Sequence, residues 1–232
     1  MHVPDGIISE PVCAAAAVVA ATAFAGVWRA GRVHTSQRQL EAVGPTAALI
    51  FAGQMVNVAI GGGTSGHLIG AALAVAMVGP VAAMLAMALV LTIQALMFAD
   101  GGVVALGVNL LLMAVIAPLV AATVMTLGRD LFGARAKSVP GKAANAALGA
   151  FASVMAAVAG YLVVHEAGAT VAFSGRSIAS AMVGTHVGVG ILEAVLTAGV
   201  VLVVGAFRSA EPLFPTVSRR KMPDQAARRV AR

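Results

Sequence analysis

Apolar segments long enough to cross a bilayer recur along this chain, and they are apolar all round. Ala14–Ala23 and Val195–Ala206 present no charged side chain on any helical face. A surface helix of a soluble domain keeps one polar face, so segments of this kind belong in lipid. Hydrocarbon offers no partner for backbone N–H and C=O groups, which leaves only helices and closed barrels as spanning structures. Barrel strands alternate apolar and polar residues with a period of two, and these segments do not. Charged residues make up 10% of the 232, far below the roughly 25% of soluble domains. The chain is therefore read as all-α, a polytopic membrane protein.

At about 20 residues per crossing, hydropathy predicts seven transmembrane helices over 11–28, 43–60, 66–79, 81–98, 103–127, 143–164 and 180–207. They form one membrane domain, 1–207, followed by a basic tail, 208–232. A net charge of +6 would suit a nucleic-acid binder, but the placement of the charges points elsewhere. Fourteen of the 15 Lys and Arg fall in the first connection, the connection after the fifth span and the tail; Arg176 is the exception. With seven spans those three segments share a side. Lys and Arg mark the cytoplasmic side, so the amino terminus is expected outside and the carboxyl terminus in the cytoplasm. No nucleic acid is expected as a partner; for the tail the partner is anionic membrane lipid. The flank of the first span holds Asp5 and Glu10 and no Lys or Arg, the reverse of a signal peptide. Cys13 is the single cysteine, which rules out an intrachain disulfide and argues against a thiol metal site.

An exported terminus gives His2 a possible role. The Met1 amine, the His2 amide and the His2 imidazole lie within chelating reach of one another. Amine and amide close a five-membered ring on a metal, and amide and Nδ1 close a six-membered one. One in-plane position stays open. Nitrogen donors in a square plane suit Ni(II), Cu(II) or low-spin Co(II) rather than Zn(II) or Mg(II). Such a site needs Met1 retained, and a bulky second residue protects it from trimming. Pro4-Asp5-Gly6 has turn composition and is expected to fold the first two residues back onto the bundle.

His67 follows the glycine run Gly61-Gly62-Gly63 at the outer start of the third span and is the natural fourth donor. His165 and His186 also map to the outer half, whereas His34 lies in the basic cytoplasmic connection as a solvated residue. Gln54, Asn57 and Asp100 are outer-side candidates for orienting the imidazoles. Interhelical hydrogen bonding is the other role open to Gln54 and Asn57. Gly79-Pro80 joins the third and fourth spans as a tight hairpin or kink.

Four motifs together resemble the CbiM/NikM substrate-capture subunits of cobalt and nickel energy-coupling factor (ECF) transporters. They are Met1-His2-Val3-Pro4-Asp5-Gly6; Gln54-Met55-Val56-Asn57 with Gly63-Thr64-Ser65-Gly66-His67-Leu68; Phe98-Ala99-Asp100-Gly101-Gly102 with Leu106-Gly107-Val108-Asn109; and His186 through Glu193. The resemblance runs from residue 1 to about 207. It implies seven helices in the membrane and a metal held by the Met1 amine, the His2 amide and imidazole, and His67. It also implies Ni2+ or Co2+ as substrate, the Pro-Asp opening leaning toward nickel. The implied partners are a transmembrane coupling subunit, cytoplasmic ATPase subunits and a small auxiliary membrane subunit, in a bacterial or archaeal cytoplasmic membrane. No catalytic activity is implied.

Two other classes were weighed. Gly63-Thr64-Ser65-Gly66 matches the short G-x-S-G of rhomboid-like intramembrane serine proteases, with His165 or His186 as base, but that reading leaves His2 and His67 unexplained. Glu193 lies inside the last span, where a carboxylate is costly and often functional. It would suit a proton-coupled secondary metal transporter, or else it is a buried, hydrogen-bonded residue that orders the bundle. The glycine run lacks the Lys of a phosphate loop, and His165-Glu166 does not continue to a second histidine, position 169 being Ala.

Overall fold

The computed structural model describes residues 1–56, 58–61, 64–171 and 175–209. Asn57, Gly62, Gly63 and the tail from 210 onward lie outside the described residues.

The first long helix, α1 (Glu10–Gly31), starts with Pro11, whose missing N–H costs nothing in a first turn. A short turn with an exposed His34 leads to α2 (Gln37–Glu41), opened by a reciprocal Ser36–Gln39 capping box. Next comes α3 (Val43–Gln54). The expected second span, 43–60, is helical only to Gln54: Val58–Gly61 forms β1, paired antiparallel with β2 (Thr64–Gly66). The cause is local. Val56, Val58 and Ile60 alternate as strand residues do, and the glycines that follow suit a reversal rather than a helix. The third expected span, 66–79, shrinks to α4 (Ala71–Val78).

From there the correspondence is closer. Gly79, at φ +80°, and Pro80 make the tight joint into α5 (Pro80–Met97). A loop leads to α6 (Leu106–Asn109), which widens into a π-helical stretch, Leu110–Ile116, and continues as α7 (Ala117–Phe132). Pro118 has no N–H to offer Ala114, and such an interruption is relieved by a local change of winding. After α8 (Ala134–Lys137) come α9 (Val139–Gly168) and α10 (Gly175–Ser209).

Among the described residues five helices are long and apolar enough to cross a membrane: 10–34, 80–97, 106–132, 139–168 and 176–206. Helix α4 differs in kind. Ala71, Ala72 and Ala74 of α4 are fully buried, and α4 packs against α3, α5, α7, α9 and α10. A short helix that is apolar all round is thus the centre of the bundle, and its amino end is where the metal-site candidate lies.

Candidate metal centre

Nine residues precede α1, and the bundle holds most of them. Val3 is fully buried. Its N–H donates to Asn109 Oδ1 at 2.8 Å, and its carbonyl accepts from Asn109 Nδ2 at 3.1 Å and from the Gly102 N–H at 2.9 Å. Asn109 therefore pairs with Val3 much as a neighbouring strand would. The Asp5 carboxylate accepts from the N–H groups of Val103 at 3.0 Å and Ala105 at 2.9 Å. On the other side, the Thr170 N–H donates to the Ile7 carbonyl at 3.0 Å and the Ser9 N–H to the Gly168 carbonyl at 2.8 Å. The Thr170 hydroxyl donates to the Gly6 carbonyl. Each bond contributes about 1 kcal/mol net, and together they offset part of the roughly 1–2 kcal/mol per residue of ordering the backbone. Gly102 is required here, because a Cβ would overlap the Asp5 carboxylate and amide nitrogen. The expected fold-back of the terminus is what the structure has.

Four residues separate β2 from α4, and His67 is the first. Its Nδ1 lies 2.7 Å from the Leu68 carbonyl. That contact assigns the proton to Nδ1 and leaves Nε2 with a lone pair. Nε2 is buried without a hydrogen-bond partner among the described residues. Further along, the Ile69 and Gly70 N–H groups donate to the two oxygens of Glu193, at 2.8 and 2.9 Å. Gln54 Nε2 donates to the Ile69 carbonyl at 2.7 Å. Gly70 caps α4 at φ +78°, with Ile50 packed where a Cβ would stand.

These two segments meet. The rings of His2 and His67 stack with centroids 4.3 Å apart and 22° between planes. Met1, His2 and His67 are 1%, 4% and 2% exposed. Burial drives the Met1 amine from 8.0 down to about 4, against the pull of the Asp100 carboxylate. Burial likewise lowers the His2 imidazole, against the pull of the Asp100 carboxylate 3.1 Å away. Burial thus leaves the Met1 amine and the His2 imidazole uncharged at neutral pH. Among the described residues no group of three or more His, Cys, Asp and Glu side chains is spaced to hold an ion.

The other singled-out residues fall into place around this cluster. Asp100 Oδ1 lies 3.1 Å from His2 Nδ1 but off the line of a hydrogen bond. It does contact a candidate ligand, yet at the nitrogen that the chelate would use rather than at the far one. Gln54 engages loop backbone, not an imidazole. His186 is fully buried on α10, its Nδ1 2.9 Å from the Met182 carbonyl. His165 is buried on α9 beside Tyr161, ring centroids 5.9 Å apart.

Sequence reasoning did not assign Asn109 its hold on Val3, Asp5 its hold on the 103–105 backbone, or Gln94 its place beside His2. The available signal was an amide in an otherwise apolar segment, which marks a partner without naming it.

The chain is similar to proteins of metal transport. A protein of Haloquadratum walsbyi named for metal transport is 35% identical over 90% of this chain and 91% of its own length. The fused nickel transport protein NikMN of Rhodobacter capsulatus is 35% identical over 87% of this chain, which spans 60% of that longer relative. A crystal structure of a transition metal transporter superposes with a TM-score of 0.82 at 29% identity, covering 91% of this chain and 95% of that one. These relatives are metal transport membrane proteins, not enzymes, so the protease reading falls. Residues 2–211 match the profile of the cobalt uptake substrate-specific transmembrane region, CbiM, and the chain belongs to that family.

Proposed function

We propose that this chain is the substrate-capture component of an energy-coupling factor transporter and takes Ni2+, or Co2+, from the outer face of a bacterial or archaeal cytoplasmic membrane. The observation that carries the reading is the buried meeting of an uncharged terminal amine with His2 and His67. The proposed donors are the Met1 amine, the His2 amide and Nδ1, and His67 Nε2. As the ion enters, Asp100 gives up His2 Nδ1 and the His2 amide loses its proton. Amide deprotonation near neutral pH demands a strong in-plane ligand field, which disfavours Zn(II), Mn(II) and Mg(II). Cu(II) binds tighter still in the Irving–Williams order, so the donor set does not exclude copper and supply must.

The bundle is read as seven crossings, α3 with its hairpin and α4 making the second and third. The amino terminus is outside and the tail is in the cytoplasm. Release means breaking a closed planar chelate. That work comes from a transmembrane coupling subunit and cytoplasmic ATPases, with a small auxiliary membrane subunit. A proton-coupled secondary mechanism through Glu193 is disfavoured, since both oxygens of that carboxylate are already occupied by backbone donors.

Protein purified with its native amino terminus and loaded with Ni2+ is expected to be yellow and diamagnetic. A paramagnetic, octahedral spectrum overturns the planar site.

A further inference from the structure

Glu193 is a carboxylate midway along an apolar membrane-spanning helix, a costly position that demands partners. Both oxygens are used, and both on one short segment: Oε2 accepts from the Ile69 N–H at 2.8 Å and Oε1 from the Gly70 N–H at 2.9 Å. These donors lie at the amino end of α4, where N–H groups have no intrahelical acceptor and negative charge is favoured. From the opposite side Gln54, on α3, donates to the Ile69 carbonyl at 2.7 Å. Glu193 is 2% and Gln54 0% exposed, so water does not compete for these bonds. The Leu68 carbonyl is engaged by the His67 ring itself. Between His67 and α4 the backbone has little freedom left.

We infer that Glu193 is the positioning residue for His67. Its carboxylate, braced by Gln54, sets where His67 Nε2 stands relative to the terminal amine and ties the metal loop to α10. The inference rests on the proposed ligand set. His186 lies seven residues before Glu193, about two turns at 3.6 residues each, so both face the same way from α10. Glu193 reaches the proposed capture site through the loop backbone, and His186 is fully buried on the same face of α10. Movement of α10 against α4 therefore pulls directly on the loop that carries a ligand. This gives a membrane-spanning helix a mechanical hold on a planar chelate that tolerates little displacement.

The test uses the full chain with its native amino terminus, nickel affinity by chelator competition, the ligand-field absorption band, and melting of the metal-free protein. Partners outside the ligand set typically contribute about 10–100-fold in metal affinity, and Glu193→Ala is expected to lose that much and to shift the band. Glu193→Gln, which keeps one acceptor oxygen, recovers part of the loss. In a His67→Ala background, where amine, amide and His2 still bind residually, Glu193→Ala changes nothing further, the signature of action through His67. Wild-type affinity and band in Glu193→Ala, or an equal loss with and without His67, overturns the inference. If Glu193→Ala does not fold, Gln54→Met removes the brace instead, and unchanged affinity there counts against it equally. Undiminished affinity in His67→Ala alone refutes the ligand set, a separate failure.

Discussion

A terminal amine is ordinarily the most hydrated group of a chain, yet here Met1 is 1% exposed and its amine is driven down to about 4. Burial makes the amine a neutral base at physiological pH, and a neutral base is a ligand. The same desolvation lowers the His2 imidazole, so the two groups are left uncharged by one cause. The position of the amine is as restrictive as its charge. Inserting one glycine between Met1 and the histidine lengthens the chelate and leaves no space for the displaced methionine. Chelator competition is expected to show loss of tight Ni2+ binding; affinity equal to the native protein sinks the terminal-amine model.

At the level of elements, two short pieces do the positioning and long helices hold them. The strap 1–9 is fastened to the 102–109 segment and to the end of α9, and the loop 67–70 is fastened to α3 and α10. Asn109 is the one side chain that binds both polar groups of Val3, one residue from His2. Asn109→Ala leaves the Val3 N–H without its acceptor, a cost of about 1–3 kcal/mol for a buried group. Roughly 10- to 100-fold weaker nickel binding follows, at about 1.4 kcal/mol per tenfold. Faster amide exchange over residues 1–9 is expected with it. Unchanged affinity and exchange show that the strap is held without Asn109. These elements were only partly legible beforehand. The Pro-Asp-Gly turn that folds His2 back onto the bundle was readable because turns are local. The end of the second expected span, residues 58–60, is strand instead, because hydropathy does not separate a short strand from a helix segment.

Across the whole molecule the capture site occupies one end of α4 and a cavity of about 640 Å³ the other. Eight residues of helix, about 12 Å at 1.5 Å each, separate them. The cavity is walled by residues such as Leu73, Val78, Val200 and Val204, carries Arg129 and Lys142, and includes no carboxylate in its lining. Apolar walls with two cations make a poor route for a divalent cation, which agrees with release by outside work rather than by passage through the bundle. The proposed orientation is open to direct measurement. A cysteine at exposed Val103 is expected to react with a membrane-impermeant thiol reagent in intact cells. One at exposed Val33 is expected to react only after permeabilisation, the native Cys13 being buried at 2% exposure. The opposite pattern reverses the topology.

Membrane residence, the helical class and the long helices are properties of composition and local order, and so is the proposed chelate chemistry of the His2 terminus. Burial of a 20-residue apolar run and the chelate bite of an amine, amide and imidazole do not depend on distant residues. The meeting of His2 with His67, the change of Asp100 from a distant orienting partner to a neighbour of Nδ1, and the grip of Asn109 on Val3 all join segments far apart in the chain. So does the clamp of Glu193 on a loop 123 residues earlier. A polar residue in an apolar span announces that it needs a partner, but the partner's identity is set by the packing of α4 among five neighbours. Sequence-local rules carry no information about that packing.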